Sequence, residues 1–225
     1  YRIHSLILFN KLNEYSSQAV LFDTTPTVRV EKILSRLYKF DKIGITKVTA
    51  VPIYIPKNTK NKYFKILKPF LPVLNAFLLI FNKIFFSYQK KFRSRIISSN
   101  EILIYFDELW EKTKQNYSNT LLRDSKTIKW YLDNQFSTKK VIICCFKDKE
   151  MIGYGIFSIN HNFMSMIDFW SVSMKFDILK SIAREAFYYC KNNNIKWLYF
   201  IHFNNHIKNM FEKLYPYKKS YDAKL

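Results

Sequence analysis

One register lays distant stretches of this 225-residue chain over each other. A shift that carries Val30 to Ile207 sets the run from Val30 to Phe40 over the run from Ile207 to Tyr217. Leu37-Tyr38-x-Phe40 then matches Leu214-Tyr215-x-Tyr217 at the end of each. Without a gap, the same shift sets the apolar run 19–23 over 196–200. It also sets an N-terminal segment, with Ile3, Leu6, Ile7, Phe9 and Leu12 near helical spacing, over the one that starts near Ile178. One offset shared by a helix, a strand and a second helix points to a duplicated unit rather than to chance agreement of apolar positions. Tyr1 then corresponds to Ile178, and the expectation is one full copy preceded by the back half of another. A longer gene product or a partner would complete that half, because a chain cut there exposes an unpaired sheet edge.

Composition narrows what the unit is. At 48% hydrophobic and 18% aromatic the chain buries a real core. Gly44, Gly153 and Gly155 are its only glycines, so glycine-rich phosphate loops of the dinucleotide and P-loop kinds are excluded. A formal charge of +20 draws phosphates, anionic lipid headgroups or an acidic cofactor. Only seven of the 37 basic residues are Arg, and Lys is scattered through every segment as biased coding DNA would leave it. Three Cys, two of them adjacent in the apolar run 141–146, make neither a disulfide framework nor a metal spacing. The expected compartment is the cytoplasm, with peripheral contact to the inner membrane as an option.

Along the chain, three divisions are expected: residues 1–56, 57–100 and 101–225. The first reads helix, strand 19–23, a helix from Thr25-Pro26, then a β-branched stretch from Ile43 to Ile55. The second is basic and carries an apolar helix over 70–88 that Pro72 starts in its first turn. Asn75 and Asn82-Lys83 interrupt that helix, which leaves it short of an uninterrupted membrane span. Flanked by Lys65, Lys68, Lys90, Lys91, Arg93 and Arg95, it is expected to pack between domains, with headgroup contact through 63–95 as the other possibility. The third division reads helices at 105–116 and 125–134, then strands at 141–147, 151–159 and 163–170. A helix at 176–192, a strand at 196–201 and a helix at 206–214 follow. Trp130 is expected to lie against the sheet.

This order resembles the acyl-CoA N-acyltransferase superfamily, GNAT. Asp124-Ser125-Lys126-Thr127-Ile128-Lys129-Trp130-Tyr131-Leu132-Asp133 is similar to a D-x-x-x-(L/I)-x-W segment of GNAT-like domains from bacterial envelope-polysaccharide clusters. The strand-turn-strand from Val141 to Phe157, with Lys149-Glu150-Met151-Ile152-Gly153-Tyr154, resembles their hairpin. The run from Asn204 to Tyr217 resembles their closing helix, and Thr25 to Phe40 is a weaker version of it. The resemblance implies a mixed α/β sheet flanked by helices, complete in 101–225, in which the fourth strand splays from the fifth. It implies acetyl-CoA or another acyl-CoA as donor, with its pyrophosphate at the turn between the fourth strand and the next helix. That turn is Ser171 to Asp177, and Ser171, Ser173 and Lys175 are the implied contacts, although the family's glycines are absent from it. It further implies an acid on the closing helix, where Phe211 and Leu34 occupy the family position and Tyr215 and Tyr38 follow one turn later. The strand carboxylate Asp168 is the candidate base toward an amine.

Other constellations carry less. His202 and His206 stand four apart, but no carboxylate or Cys completes a ligand set, so no metal is expected. His161 belongs to a hairpin turn and His4 to a helix surface. Basic charge with many aromatics also suits nucleic acid, yet no helix-turn-helix, zinc or ribonucleoprotein pattern accompanies it, and no specific nucleic acid is expected. The expected activity is transfer of an acyl group to a small-molecule amine, such as an amino sugar. The alternatives are an inactive GNAT-like scaffold at a membrane surface and a basic nucleic-acid-binding protein.

Overall fold

A computed structural model describes residues 47–55, 68–87, 91–116, 122–133, 138–173, 175–202, 209–210, 213 and 220–222. One compact unit spans Ile45–Ala223, and a second comprises Tyr1–Gly44 with Lys224–Leu225. The expected first copy up to Gly44, the overlay that suggested it, Tyr38, and most of the helix at 206–214 lie outside the described residues.

The larger unit is built on a sheet of seven strands: β1 (Lys47–Pro52), β2 (Arg93–Ile97), β3 (Lys139–Lys147), β4 (Glu150–Asn160), β5 (Phe163–Ser171), β6 (Trp197–His202) and β7 (Ser220–Asp222). Their spatial order is β2-β3-β4-β5-β6-β1-β7. Every neighbouring pair is antiparallel except β5 and β6, which run parallel. The described helices are α1 (Leu71–Phe85), α2 (Ile102–Thr113), α3 (Ser125–Asp133) and α4 (Phe176–Asn192). This is the mixed sheet flanked by helices that the GNAT resemblance implies.

Both faces of the sheet are covered, which explains the run Val141 to Phe146. Val141, Ile143 and Cys145 join the core beneath α4, with Phe157, Met164, Ile182, Ala186 and Phe187. Ile142, Cys144 and Phe146 join the opposite core, with Phe106 and Leu109 of α2 and Ile128 and Leu132 of α3. A strand buried on both sides reads as a continuous apolar run instead of an alternating one. The turn into β4 is the expected Asp148-Lys149, with Asp148 at φ 56, a left-handed conformation that Asp tolerates better than most residues.

Two strands differ from the sequence expectation. Arg93–Ile97, placed with the linker because of its charge, is the edge strand β2 against β3. Lys47–Pro52, placed at the end of the first division, lies inside the sheet of the larger unit between β6 and β7. Neither position is visible in local periodicity, since each depends on a partner far away in sequence. Trp130 is also corrected: it is 64% exposed, and Ile128 and Leu132 fill the inward face of α3 in its place.

Candidate functional site

The parallel pair does not stay together. β5 and β6 are in register from Phe163 opposite Trp197 to Met166 opposite Phe200, and β5 then continues to Ser171 with no β6 partner among the described residues. The opposite ladder slips at the same place: Ile156 faces Asp168 while Phe157 faces Met166, so Ile167 is an extra residue. A bulge of this kind bends its strand and ends pairing, and here it coincides with a notch in the sheet. Beyond it the Val172 N–H donates to the Ile152 carbonyl at 2.9 Å. Antiparallel residues alternate between the two edges of a strand. Trp170 and Asp168 therefore share the orientation of Val172, and Phe169 turns its backbone N–H and C=O to the notch side.

At the mouth of the notch the chain turns into α4. The Ser173 carbonyl accepts from the Lys175 N–H at 2.6 Å and from the Ser171 hydroxyl at 2.8 Å. Those two bonds fold the turn tightly. The positive-φ positions among the described residues are Asp148 and Asn194, neither of them in this turn. The turn thus closes without glycine at the described positions. Lys175 occupies the N-cap of α4 in an extended conformation and provides no side-chain cap. First-turn N–H groups that lack a capping side chain form an anion-binding end with the helix dipole behind it. Close packing behind the turn depends on Gly153: a Cβ there would stand 2.8 Å from Ser171 Cβ, 2.9 Å from the Trp170 carbonyl and 3.0 Å from Ile178.

A polar cluster flanks the notch on the α2–α3 face. Arg123 donates through Nε to Asp168 Oδ2 at 3.3 Å and through Nη2 to Oδ1 at 3.1 Å. The Tyr154 hydroxyl donates to Asp168 Oδ2 at 3.0 Å. The guanidinium also lies 4.2 Å from the centre of the Trp170 ring. The Trp170 indole N–H in turn donates to Thr113 Oγ1 at 2.8 Å, and that hydroxyl donates to the Leu109 carbonyl at 2.7 Å. Burial is the largest influence on Arg123 and weakens its charge, but the Asp168 carboxylate and then Tyr154 outweigh it, so its pKa is raised. Burial first and the Asp168 charge second push the Tyr154 phenol well above the ordinary tyrosine range, which keeps it a neutral donor. Tyr131 of α3 is raised for the same two reasons in the same order.

Of the residues singled out from sequence, Asp168 sits in this cluster on the half of β5 that has parted from β6, and is ion-paired. Ser171, Ser173 and Lys175 come together at the turn. Tyr215 lies outside the described residues. The Asp124 carboxylate of the motif accepts the Thr127 N–H at 2.8 Å, a helix-capping bond rather than a catalytic one. Arg123 and Tyr154 were missed. A usable signal existed for Arg123: in a chain that spends Lys nearly everywhere, Arg marks a position that needs a planar two-pronged donor.

No family model matches the chain, and no curated protein matches it. Solved structures do. A GCN5-related N-acetyltransferase from Anabaena variabilis aligns over 96% of this chain and 47% of its own, at 13% identity and a TM-score of 0.52. A protein of unknown function from Enterococcus faecalis, described as a probable N-acyltransferase, aligns over 89% of this chain and 42% of its own, at 10% identity and a TM-score of 0.50. The chain spans less than half the length of either. Together with the parting of β5 from β6, this similarity establishes the architecture: the chain has the GNAT fold.

Proposed function

We propose that the chain is an N-acyltransferase that carries an acyl group from acyl-CoA to an amine. One observation carries this reading: a parallel strand pair that opens directly in front of an uncapped helix of 17 residues. The described residues fit an acyl-CoA donor. The α4 N-terminus and Lys175 present positive potential to a pyrophosphate, opposed in part by Asp177 in the same first turn, and the notch would offer a pantetheine arm a strand edge. Bound there, the donor supplies an activated thioester.

The remaining chemistry belongs to the protein. The Phe169 N–H faces the notch, where a backbone donor polarises a carbonyl and stabilises the oxygen charge that develops as an amine attacks. A C–N bond forms, the C–S bond breaks, and the proton lost by the amine balances the one gained by the leaving thiolate. Both Asp168 oxygens are already engaged, by Arg123 and by the Tyr154 hydroxyl. It is therefore assigned to positioning: with Arg123, Tyr154 and Trp170 it shapes the acceptor side of the notch. Tyr215 remains the proposed donor of a proton to the thiolate. The proposed acceptor is a small amine such as an amino sugar or envelope precursor, in keeping with the resemblance of 124–133 and 149–154. The setting is proposed as cytoplasmic.

A thermal-shift titration with acetyl-CoA and CoA tests the reading. A ligand at about a hundred times its Kd adds about 2.7 kcal/mol and raises the melting temperature by several degrees. Lys175→Glu should weaken the affinity about tenfold, and so roughly halve that response, by placing a like charge before the phosphate site. An unchanged melting temperature at millimolar ligand contradicts the proposal. A second reading, a non-catalytic scaffold, is favoured by the engagement of Asp168 with Arg123. It predicts binding without thiol release for every amine offered.

A further inference from the structure

The helix α1 is amphipathic the wrong way round for a soluble protein. Its two asparagines face the domain. Asn75 accepts the Ile55 N–H at 2.7 Å and donates to the Ile55 carbonyl at 3.0 Å, and buried Asn82 donates to the Pro52 carbonyl at 2.9 Å. Leu71 and, just past the helix, Phe86 anchor its two ends in the core, with Phe86 stacked on Phe187 of α4 at 5.3 Å. Its other face is apolar and in water: Val73, Phe77, Ile80 and Ile84 are 69%, 68%, 58% and 66% exposed, with Phe70 at 60% just before the helix. The spacing of four, three and four residues sets them on one stripe. Scattered exposed apolar residues need no explanation, but a contiguous stripe this rich in large side chains marks a surface that something covers.

Charge selects what covers it. From Lys42 to Asn100 the sequence contains no Asp or Glu, while Lys recurs within α1 and on either side of it in the sequence, at Lys68, Lys83 and Lys91 among the described residues. A second copy would bring an equally positive surround against the first, and nucleic acid offers little to aliphatic Val and Ile. An anionic lipid surface satisfies both properties, taking apolar side chains into the headgroup–acyl boundary and basic ones at the phosphates. By length and composition the segment Lys68–Phe85 is also long and apolar enough to cross a membrane. Crossing would strip Asn75 and Asn82 of their backbone partners on Ile55 and Pro52, in a medium with no replacement for them.

We propose that α1 seats this domain on an anionic membrane, lying in the interface with Val73, Phe77, Ile80 and Ile84 inserted. The proposal stands apart from the acyltransferase reading. α1 is tied to the strand end where Pro52 faces Trp197, and β5 and β6 are still paired at that end of the sheet. The notch opens at the other.

Flotation of the full chain with vesicles containing about one third phosphatidylglycerol tests it, beside vesicles of phosphatidylcholine alone. The wild type should float with the anionic vesicles. Phe77→Glu/Ile80→Glu should reduce the floated fraction about tenfold or more while keeping the wild-type melting temperature. A wild type that stays at the bottom overturns the proposal. So does a double variant that floats equally well, which would leave charge alone as the cause, or one that melts much lower, which would make the stripe an internal contact. A second variant, Phe77→Trp, reads insertion directly: brominated lipid should quench its added fluorescence, and absence of quenching in bound protein overturns the proposal. Vesicle binding without any response to acetyl-CoA would refute the enzyme reading and leave this one standing.

Discussion

At the residue scale the strongest commitment is the Arg123–Asp168 pair, whose side chains are 15% and 25% exposed. Breaking a buried ion pair by removing one partner costs about 3–5 kcal/mol, and partial exposure lowers that here to about 2–3 kcal/mol. Arg123→Met and Asp168→Asn should each lose about that much in urea denaturation, and Tyr154→Phe about 1 kcal/mol. In a double-mutant cycle the Arg123 and Asp168 losses should fall well short of additive. Losses below about 0.5 kcal/mol would mean that the pair is not held as described. The three cysteines give a second check. All are buried, and burial pushes Cys190 up to about 12 and raises Cys144 and Cys145 as well. A thiol reagent at pH 8 should therefore find almost no reactive sulfur in the folded protein and three equivalents after unfolding. Rapid labelling of the native state would contradict that burial. Asp168 was legible because a carboxylate inside an apolar strand is conspicuous. Its partner was not, since Arg123 lies 45 residues away and meets it through the packing of α2 and α3.

Among the elements, α4 and the strands beneath it were the most legible, because a helix with one apolar face and a two-faced apolar strand each leave a clear periodicity. The β5 bulge left none, since Ile167 reads as one more apolar residue. Gly153 was visible in a hairpin pattern, but its reason is structural: it lets the end of β5 and the first turn of α4 approach β4. Gly153→Ala should cost about 1–3 kcal/mol by displacing Ser171 and Ile178, and it should weaken acetyl-CoA binding more than Arg123→Met does. Equal binding in Gly153→Ala and wild type would separate the turn from the donor site. The start of α2 supplies a pH test. Glu101 closes a capping box on Ser98. The Ser98 N–H first and Arg95 second hold its carboxyl below the usual range. A lowered carboxylate contributes stability above its unfolded value and loses it as pH falls through the folded one. The melting-temperature gap between wild type and Glu101→Gln should therefore be widest near pH 7 and close by about pH 3. A gap that grows on acidification would reverse that sign.

For the whole molecule, what sequence could not supply was long-range pairing. A basic segment became the edge strand β2, and a strand placed with the preceding unit became β1, next to the other edge of this sheet, because strand order is decided by partners rather than by local pattern. The mixed topology and the parting of β5 from β6 followed from the resemblance and stand in the structure; the function rests on whether that opening holds a donor. Amide chemical shifts of the full chain during titration with CoA measure this directly. The account predicts the largest changes at Phe169 and from Ser171 to Ile178, with α1 silent. Saturating CoA that moves none of these amides, or moves chiefly residues away from the notch, would contradict it.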